Sequence, residues 1–217
     1  MTKRKYGRAP VTPGIGASPN KPASLPFLLA TTSGVLEAVK DDLPPLTVTL
    51  ESRDTVLPQI TITPSGIADD EKIQRHTVEH LARILSTWPK PLSGDSGGWT
   101  ATGRTKGLKV DVLAAPLLGR GVVRHSKRRP SDGTAAHAQL LRDLIDWAGA
   151  LPAACKLQVE ESADGEGLLA RLTTAADDLP AVLDTHALLV TPAAGIWDKT
   201  RGEGVTPTGH RLVILTR

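Results

Sequence analysis

The sequence predicts an α+β fold, and three observations carry that reading. Short stretches alternate apolar and polar residues, as half-buried strands do. Two longer stretches place apolar residues at helical spacing. The strands come mostly in adjacent pairs, which favours hairpins and antiparallel sheets packed by two main helices. A chain of 217 residues, 40% apolar, is long enough for one sizeable core. That core is expected to be aliphatic, because Phe27 and Tyr6 are single and the four tryptophans are Trp88, Trp99, Trp147 and Trp197.

Residues 1–24 read as a flexible basic arm preceding a single domain over 25–217. The arm holds Pro10, Pro13, Pro19 and Pro22 with Gly7, Gly14 and Gly16, and no apolar period. Such a segment buries too little surface to offset its ordering entropy. Ser33 to Asp42 reads as a short helix, with Ser33 as N-cap and Pro44 beyond its end. Leu46–Glu51 and Gln59–Thr63 alternate cleanly, and Ser52-Arg53-Asp54 is expected to turn between them.

Ala68 to Trp88 is the strongest helix. Asp69, Asp70 and Glu71 suit its positive end. Ile73, Leu81, Ile84, Leu85 and Trp88 form the apolar stripe, and Pro89 stops it. Residues 89–107 read as a loop. Leu108–Ala114 and Gly121–His125 are strand candidates, followed by a helix over Thr134–Ala150. Lys156–Glu161 and Leu168–Thr173 flank the acidic turn Ser162-Ala163-Asp164-Gly165. A helical piece broken at Pro180, a strand over His186–Thr191, a glycine-rich loop over 194–209 and a strand over Arg211–Leu215 complete the chain.

Segments 44–88 and 107–149 are expected to be β-β-α repeat units. Leu81-x-Arg83-x-Leu85-x-x-Trp88 matches Leu140-x-Arg142-x-Leu144-x-x-Trp147, and Leu46-x-Val48-x-Leu50 matches Leu108-x-Val110-x-Val112. Read from the second strand to the fifth, the order is β-α-β-β-α-β. That order resembles a ferredoxin-like core with extra strands.

Charge is unevenly spread. Residues 1–26 hold Lys3, Arg4, Lys5, Arg8 and Lys21 and no acid. Residues 104–129 hold Arg104, Lys106, Lys109, Arg120, Arg124, Lys127, Arg128 and Arg129 against Asp111 alone. The net charge is only +3, so the rest of the chain is acidic. Two dense cationic segments on an acidic body are an electrostatic footprint for a polyanion.

Three short motifs touch catalytic chemistry. His76-Thr77-Val78-Glu79-His80 places two imidazoles one helical turn apart, with a carboxylate beside them. It resembles the pitrilysin-type metallopeptidase signature, which implies zinc on His76 and His80, Glu79 as general base, and a further acid near Glu160 or Glu161. The related unit has Ala135 and Gln139 at the histidine positions, so the chemistry is not carried by both units. Gly94-Asp95-Ser96-Gly97-Gly98 resembles the nucleophile segment of trypsin-like proteases, but the nearest upstream histidine is His80, on the expected helix. Asp111, followed by His125-Ser126-Lys127, resembles a degraded PD-(D/E)XK nuclease pattern. His125 stands where that pattern needs a metal-binding acid.

The reading these residues favour is a non-enzymatic nucleic-acid-binding subunit of a larger ribonucleoprotein or viral-type assembly. The phosphate contacts would come from Lys3, Arg4, Lys5, Arg8, Arg104, Lys106, Arg120, Arg124, Lys127, Arg128 and Arg129. RNA and DNA both remain open, and no cofactor or metal is expected. A metal-dependent hydrolase and a structural protein-interaction subunit are the alternatives. Few aromatics argue against stacking of bases on exposed rings. The single Cys155 allows no intrachain disulfide and fits a reducing cytoplasm. The apolar stretch Leu25–Ala30 is too short for a signal-peptide core, and no run reaches membrane-spanning length.

Overall fold

The computed structural model describes residues 24–39, 43–53, 56–64, 71–92, 97–114, 133–149, 151, 155–162, 167–189, 191–198, 201–206 and 208–216. Residues 1–23 of the arm and the strand expected at 121–125 lie outside them. The architecture is α+β, with helices packed on one mixed, mostly antiparallel sheet.

The alternating segments form strands because their apolar residues share one face. In β1 (Leu46–Arg53), Leu46, Val48 and Leu50 are buried, and in β2 (Val56–Pro64), Ile60 and Ile62 are buried. These strands pair antiparallel, with Val48 opposite Ile62 and Leu50 opposite Ile60. Pro58 falls inside β2 near its start.

Helix α2 (Glu71–Ile84) turns Val78, Leu81 and Ala82 toward the sheet. It ends well before Pro89. The Thr87 N–H bonds the Ala82 carbonyl at 2.9 Å across Ser86, which has φ 51°. A left-handed residue with this bond pattern ends a helix. Trp88 therefore leaves the expected stripe and is 82% exposed, while Ile73, in the first turn of α2, is 36% exposed.

The expected loop over 89–107 contains two strands, β3 (Lys90–Pro91) and β4 (Trp99–Thr105). Strand β4 pairs along its whole length with β5 (Leu108–Ala114). Its composition reads as loop, but the exposed ladder of β5 supplies the hydrogen-bond partners. The expected helix over 134–150 is two pieces, α3 (Gly133–Asp143) and α4 (Ile145–Ala148). Strands β6 (Cys155–Glu161) and β7 (Leu168–Thr174) fall where alternation places them. A 3₁₀ turn over Ala176–Asp178 leads into α5 (Leu179–Leu189), which replaces the strand expected from His186. Strands β8 (Thr191–Asp198) and β9 (Arg201–Val205) occupy most of the expected glycine-rich loop, and β10 (Arg211–Thr216) follows.

Helix α1 (Leu25–Glu37) starts eight residues before the expected Ser33 cap. Proline is tolerated in a first turn, so Pro26 does not delay it. Ser33 lies buried within the helix, and its hydroxyl reaches Glu37 Oε1 at 2.9 Å and the Ala138 carbonyl of α3 at 3.2 Å. That contact joins α1 to α3, while α1 also packs on β1 and β2.

The sheet order is β3-β4-β5-β2-β1-β6-β7-β10-β9-β8. Outward from the central antiparallel β1–β6 pair, each side repeats one plan: an antiparallel hairpin, a parallel neighbour, then two antiparallel strands. Helices α2 and α5 hold the same place in the two halves, between hairpin and crossover partner. The β-β-α succession is thus present in β1-β2-α2 and β6-β7-α5. The matched segments 44–88 and 107–149 instead equate β1 with β5 and α2 with α3, which hold different places. Gly107 at φ 81° and Gly209 at φ 85° close corresponding hairpins. Lys109 and Arg211 follow them at matching register, opposite Gln59 and Leu169 of the parallel neighbours.

One buried polar group ties the helical layer to β1. His137 of α3 has Nε2 2.8 Å from the Leu46 carbonyl and Nδ1 3.3 Å from the Gly133 carbonyl. A neutral ring donates to only one of them. Burial pushes its pKa below the ordinary 6.5, against the opposing pull of both carbonyls and Glu161. Above that value the ring is neutral in folded and unfolded chains alike. As pH falls below it, the unfolded chain takes up a proton that the folded chain resists, and stability drops. We expect His137→Gln, which keeps a donor for Leu46, to flatten the fall in urea midpoint below pH ~6.5. Equal slopes in wild type and variant would contradict this assignment.

Candidate nucleic-acid interface

The β4–β5 hairpin gathers the described part of the second cationic segment. Thr105 pairs with Leu108 across Lys106 and Gly107, both at positive φ, 47° and 81°. Two left-handed residues make the tight hairpin turn whose twist matches the flanking strands. Glycine adopts that conformation freely; Lys106 does so at some cost, and its side chain is exposed.

Arg104 sits directly opposite Lys109, on the face away from the helices. Like charges opposed across a strand pair destabilise it. The compensation is Asp111, whose Oδ2 is 2.7 Å from Lys109 Nζ. Thr102 Oγ1 donates to Asp111 at 2.7 Å, and Gln59 Nε2 does so at 3.0 Å. Partial burial pushes the Asp111 carboxyl up, but hydrogen bonds from Lys109 and Thr102, the Lys109 charge and Gln59 outweigh it. The group is held below its ordinary value and stays ionised. Asp111 therefore neutralises one cation of three. Arg104 and Lys106 hold no ion pair among the described residues. The result is a cationic hairpin end fixed to rigid strands.

Lys3, Arg4, Lys5, Arg8 and Lys21 lie outside the described residues, as do Arg120, Arg124, Lys127, Arg128 and Arg129. Ser96 and His125 also lie there.

The catalytic candidates do not converge. The rings of His76 and His80 have centroids 6.3 Å apart on α2. Glu79 beside them accepts from Arg75 Nε at 2.7 Å. That bond, more than the nearby charges of Arg75, Arg83 and His76, holds its carboxyl below the ordinary value. A carboxylate so stabilised is a weak base. Glu160 is on β6, paired to Arg171 at 2.8 Å and bonded by Gln158 at 2.9 Å. Helix α2 packs on β4 and β5, whereas β6 lies three strands beyond β5, roughly 14 Å away at ordinary strand spacing. Among the described residues no group of three His, Cys, Asp or Glu is placed to hold a metal ion. Cys155 is buried, with its thiol 3.9 Å from Thr174 Oγ1. Among the described residues no helix is long and apolar enough to cross a membrane.

The residue that sequence reasoning missed is Trp88. Helical spacing places it in the apolar stripe, yet it stands beyond the helix end at a cleft of about 620 Å³ with Glu79, Arg83, Ser86, Thr87 and Pro89. The nearest signal is its place directly before Pro89, which disfavours helical backbone. Trp99, by contrast, is covered by the Arg75 guanidinium, 4.7 Å from its ring centroid.

Comparison with known protein families, with curated proteins and with solved structures finds no match to this chain.

Proposed function

We propose that this chain is a non-enzymatic nucleic-acid-binding protein that grips phosphates with little reading of base sequence. The observation that supports this best is the hairpin end, where Arg104 faces Lys109 with Lys106 at the tip and a single acid beside them. Such an arrangement works against hairpin stability and in favour of a polyanion. The cationic arm and the 120–129 run add charge of the same sign in sequence. Arginine and lysine without Asn or Gln partners suit backbone contact more than base-edge recognition. A cytoplasmic place in a larger ribonucleoprotein or viral-type assembly belongs to the same proposal, on the reduced cysteine and the segregated charge.

The test is the salt dependence of binding to duplex DNA by fluorescence anisotropy. Log affinity should fall linearly with log salt. The double variant Arg104→Ala/Lys106→Ala should lower the slope by roughly two units, about one for each phosphate contact removed. It should weaken all sequences about equally. A wild-type affinity indifferent to salt, or a variant with an unchanged slope, would count against the reading.

A further inference from the structure

We propose that the Trp88 cleft is a stacking site for one unpaired base of a single-stranded nucleic acid, with Arg83 taking the adjoining phosphate. This inference rests on the nucleic-acid reading above and extends it to a second subsite of different chemistry.

Four observations converge on it. Trp88 is 82% exposed, while Trp147 is buried and Trp99 is half-buried beneath Arg75. An indole left that bare on a folded surface is a large apolar plane facing water, and planar bases stack on such rings. The cleft beside it, at about 620 Å³, has the size of small-molecule clefts in general, roughly 300–1,000 Å³.

The electrostatics favour an anion. Glu79 is engaged by Arg75 in an i,i+4 ion pair, so its charge is largely met within the helix. Arg83 is exposed and holds no ion pair among the described residues. Lys90, two residues past Trp88, is exposed as well. The cleft wall carries Arg83 and Glu79; with Glu79 engaged by Arg75, Arg83 and the neighbouring Lys90 are the charges left to meet an anion. Arginine and tryptophan together hold the two parts of a nucleotide that an unpaired strand presents, its phosphate and its base face.

The cleft is also joined to the hairpin. Thr87 Oγ1 donates to the Thr102 carbonyl at 2.9 Å, which pins the cleft wall to β4. Arg104 lies two residues along that strand, roughly 7 Å from Thr102. Arg104 faces away from the helices and the cleft lies on the helix side, so a strand that uses both passes around the edge of β4, which β3 covers only at Trp99 and Thr100. A duplex keeps its bases stacked inside and can use the hairpin alone.

The experiment compares full-length wild type with Trp88→Ala on oligo(dT), oligo(U) and a duplex of equal length. Trp88→Ala should weaken both single strands by about tenfold to a hundredfold, the usual worth of one stacked base. Duplex affinity should change less than twofold, and Trp88→Phe should recover much of the loss. Unaltered thermal unfolding of Trp88→Ala separates lost stacking from lost folding. A loss confined to oligo(dT) or to oligo(U) still supports stacking and shows which of the two strands the cleft prefers. Duplex binding with no effect of Trp88→Ala on either single strand would overturn this inference and leave the phosphate-binding reading standing. Absence of binding to every nucleic acid at low salt would overturn both. A glutamate-rich peptide that loses as much affinity on Trp88→Ala as the oligonucleotides do would assign the cleft to a protein partner and overturn the proposal.

Discussion

Leu50→Ala is expected to lower the free energy of unfolding by about 2–5 kcal/mol, the range for large-to-small changes in packed cores. Leu50 is fully buried on the central strand β1, opposite Ile60 of β2 and Leu157 of β6. It therefore sits at the junction of the two topologically matched halves. Strand backbone on both sides prevents collapse around the void, which places the cost toward the upper part of the range. Stability of a domain is typically only about 5–15 kcal/mol, so this one truncation removes a large share. Urea unfolding should show a lower midpoint at unchanged slope. A loss under about 1 kcal/mol would mean that the β1–β6 junction is loosely packed, contrary to its register and burial.

Gly103→Val should have the second largest effect, and it reaches function as well as stability. A Cβ at position 103 would stand 2.6 Å from Leu85 Cβ and 3.0 Å from the Leu85 carbonyl oxygen. Both atoms lie just past the end of α2, at or next to the main chain, so no flexible tip can swing aside. Overpacking of this kind costs about 1–3 kcal/mol. Relief requires moving Leu85, Ser86 and Thr87 away from β4, which breaks the Thr87–Thr102 bond and displaces Trp88. The variant should therefore unfold at lower urea and also lose single-strand affinity. Wild-type behaviour in both measurements would show that α2 and β4 are not in the close contact described.

The candidate site was legible only in part. Charge segregation is a property of composition, so the cationic 104–109 segment stood out without a structure. Its arrangement did not. Trp99–Thr105 reads as loop because it follows a Gly- and Ser-rich stretch and contains Gly103, and strand preference depends heavily on neighbours. Pairing with β5 turns Arg104 to face Lys109, and that like-charge juxtaposition gives the segment its meaning. The position of Trp88 escapes the sequence for a related reason. Helical spacing continues through Ile84, Leu85 and Trp88 in the sequence, but the chain leaves the helix at Ser86. Serine is an uncommon residue for a left-handed turn, so nothing at that position announces the stop. The pairing of His76 and His80 with Glu160 fails on distance, which spacing along the chain does not encode.

By itself the sequence determined the strands β1, β2, β5, β6, β7 and β10, the body of α2, the aliphatic core and the uneven charge. Each follows from local alternation, helical period or composition, all of which act within a few residues. Only the tertiary structure decided the rest: the start of α1 at Leu25, the strand state of β4, the helical state of His186–Leu189, the strand order with its two matched halves, and the exposure of Trp88. These depend on which distant ladder offers hydrogen bonds, as β5 does for β4, and on which surface is close enough to pack, as Leu85 is for Gly103. Such partners lie many residues apart in the chain and meet only when it folds.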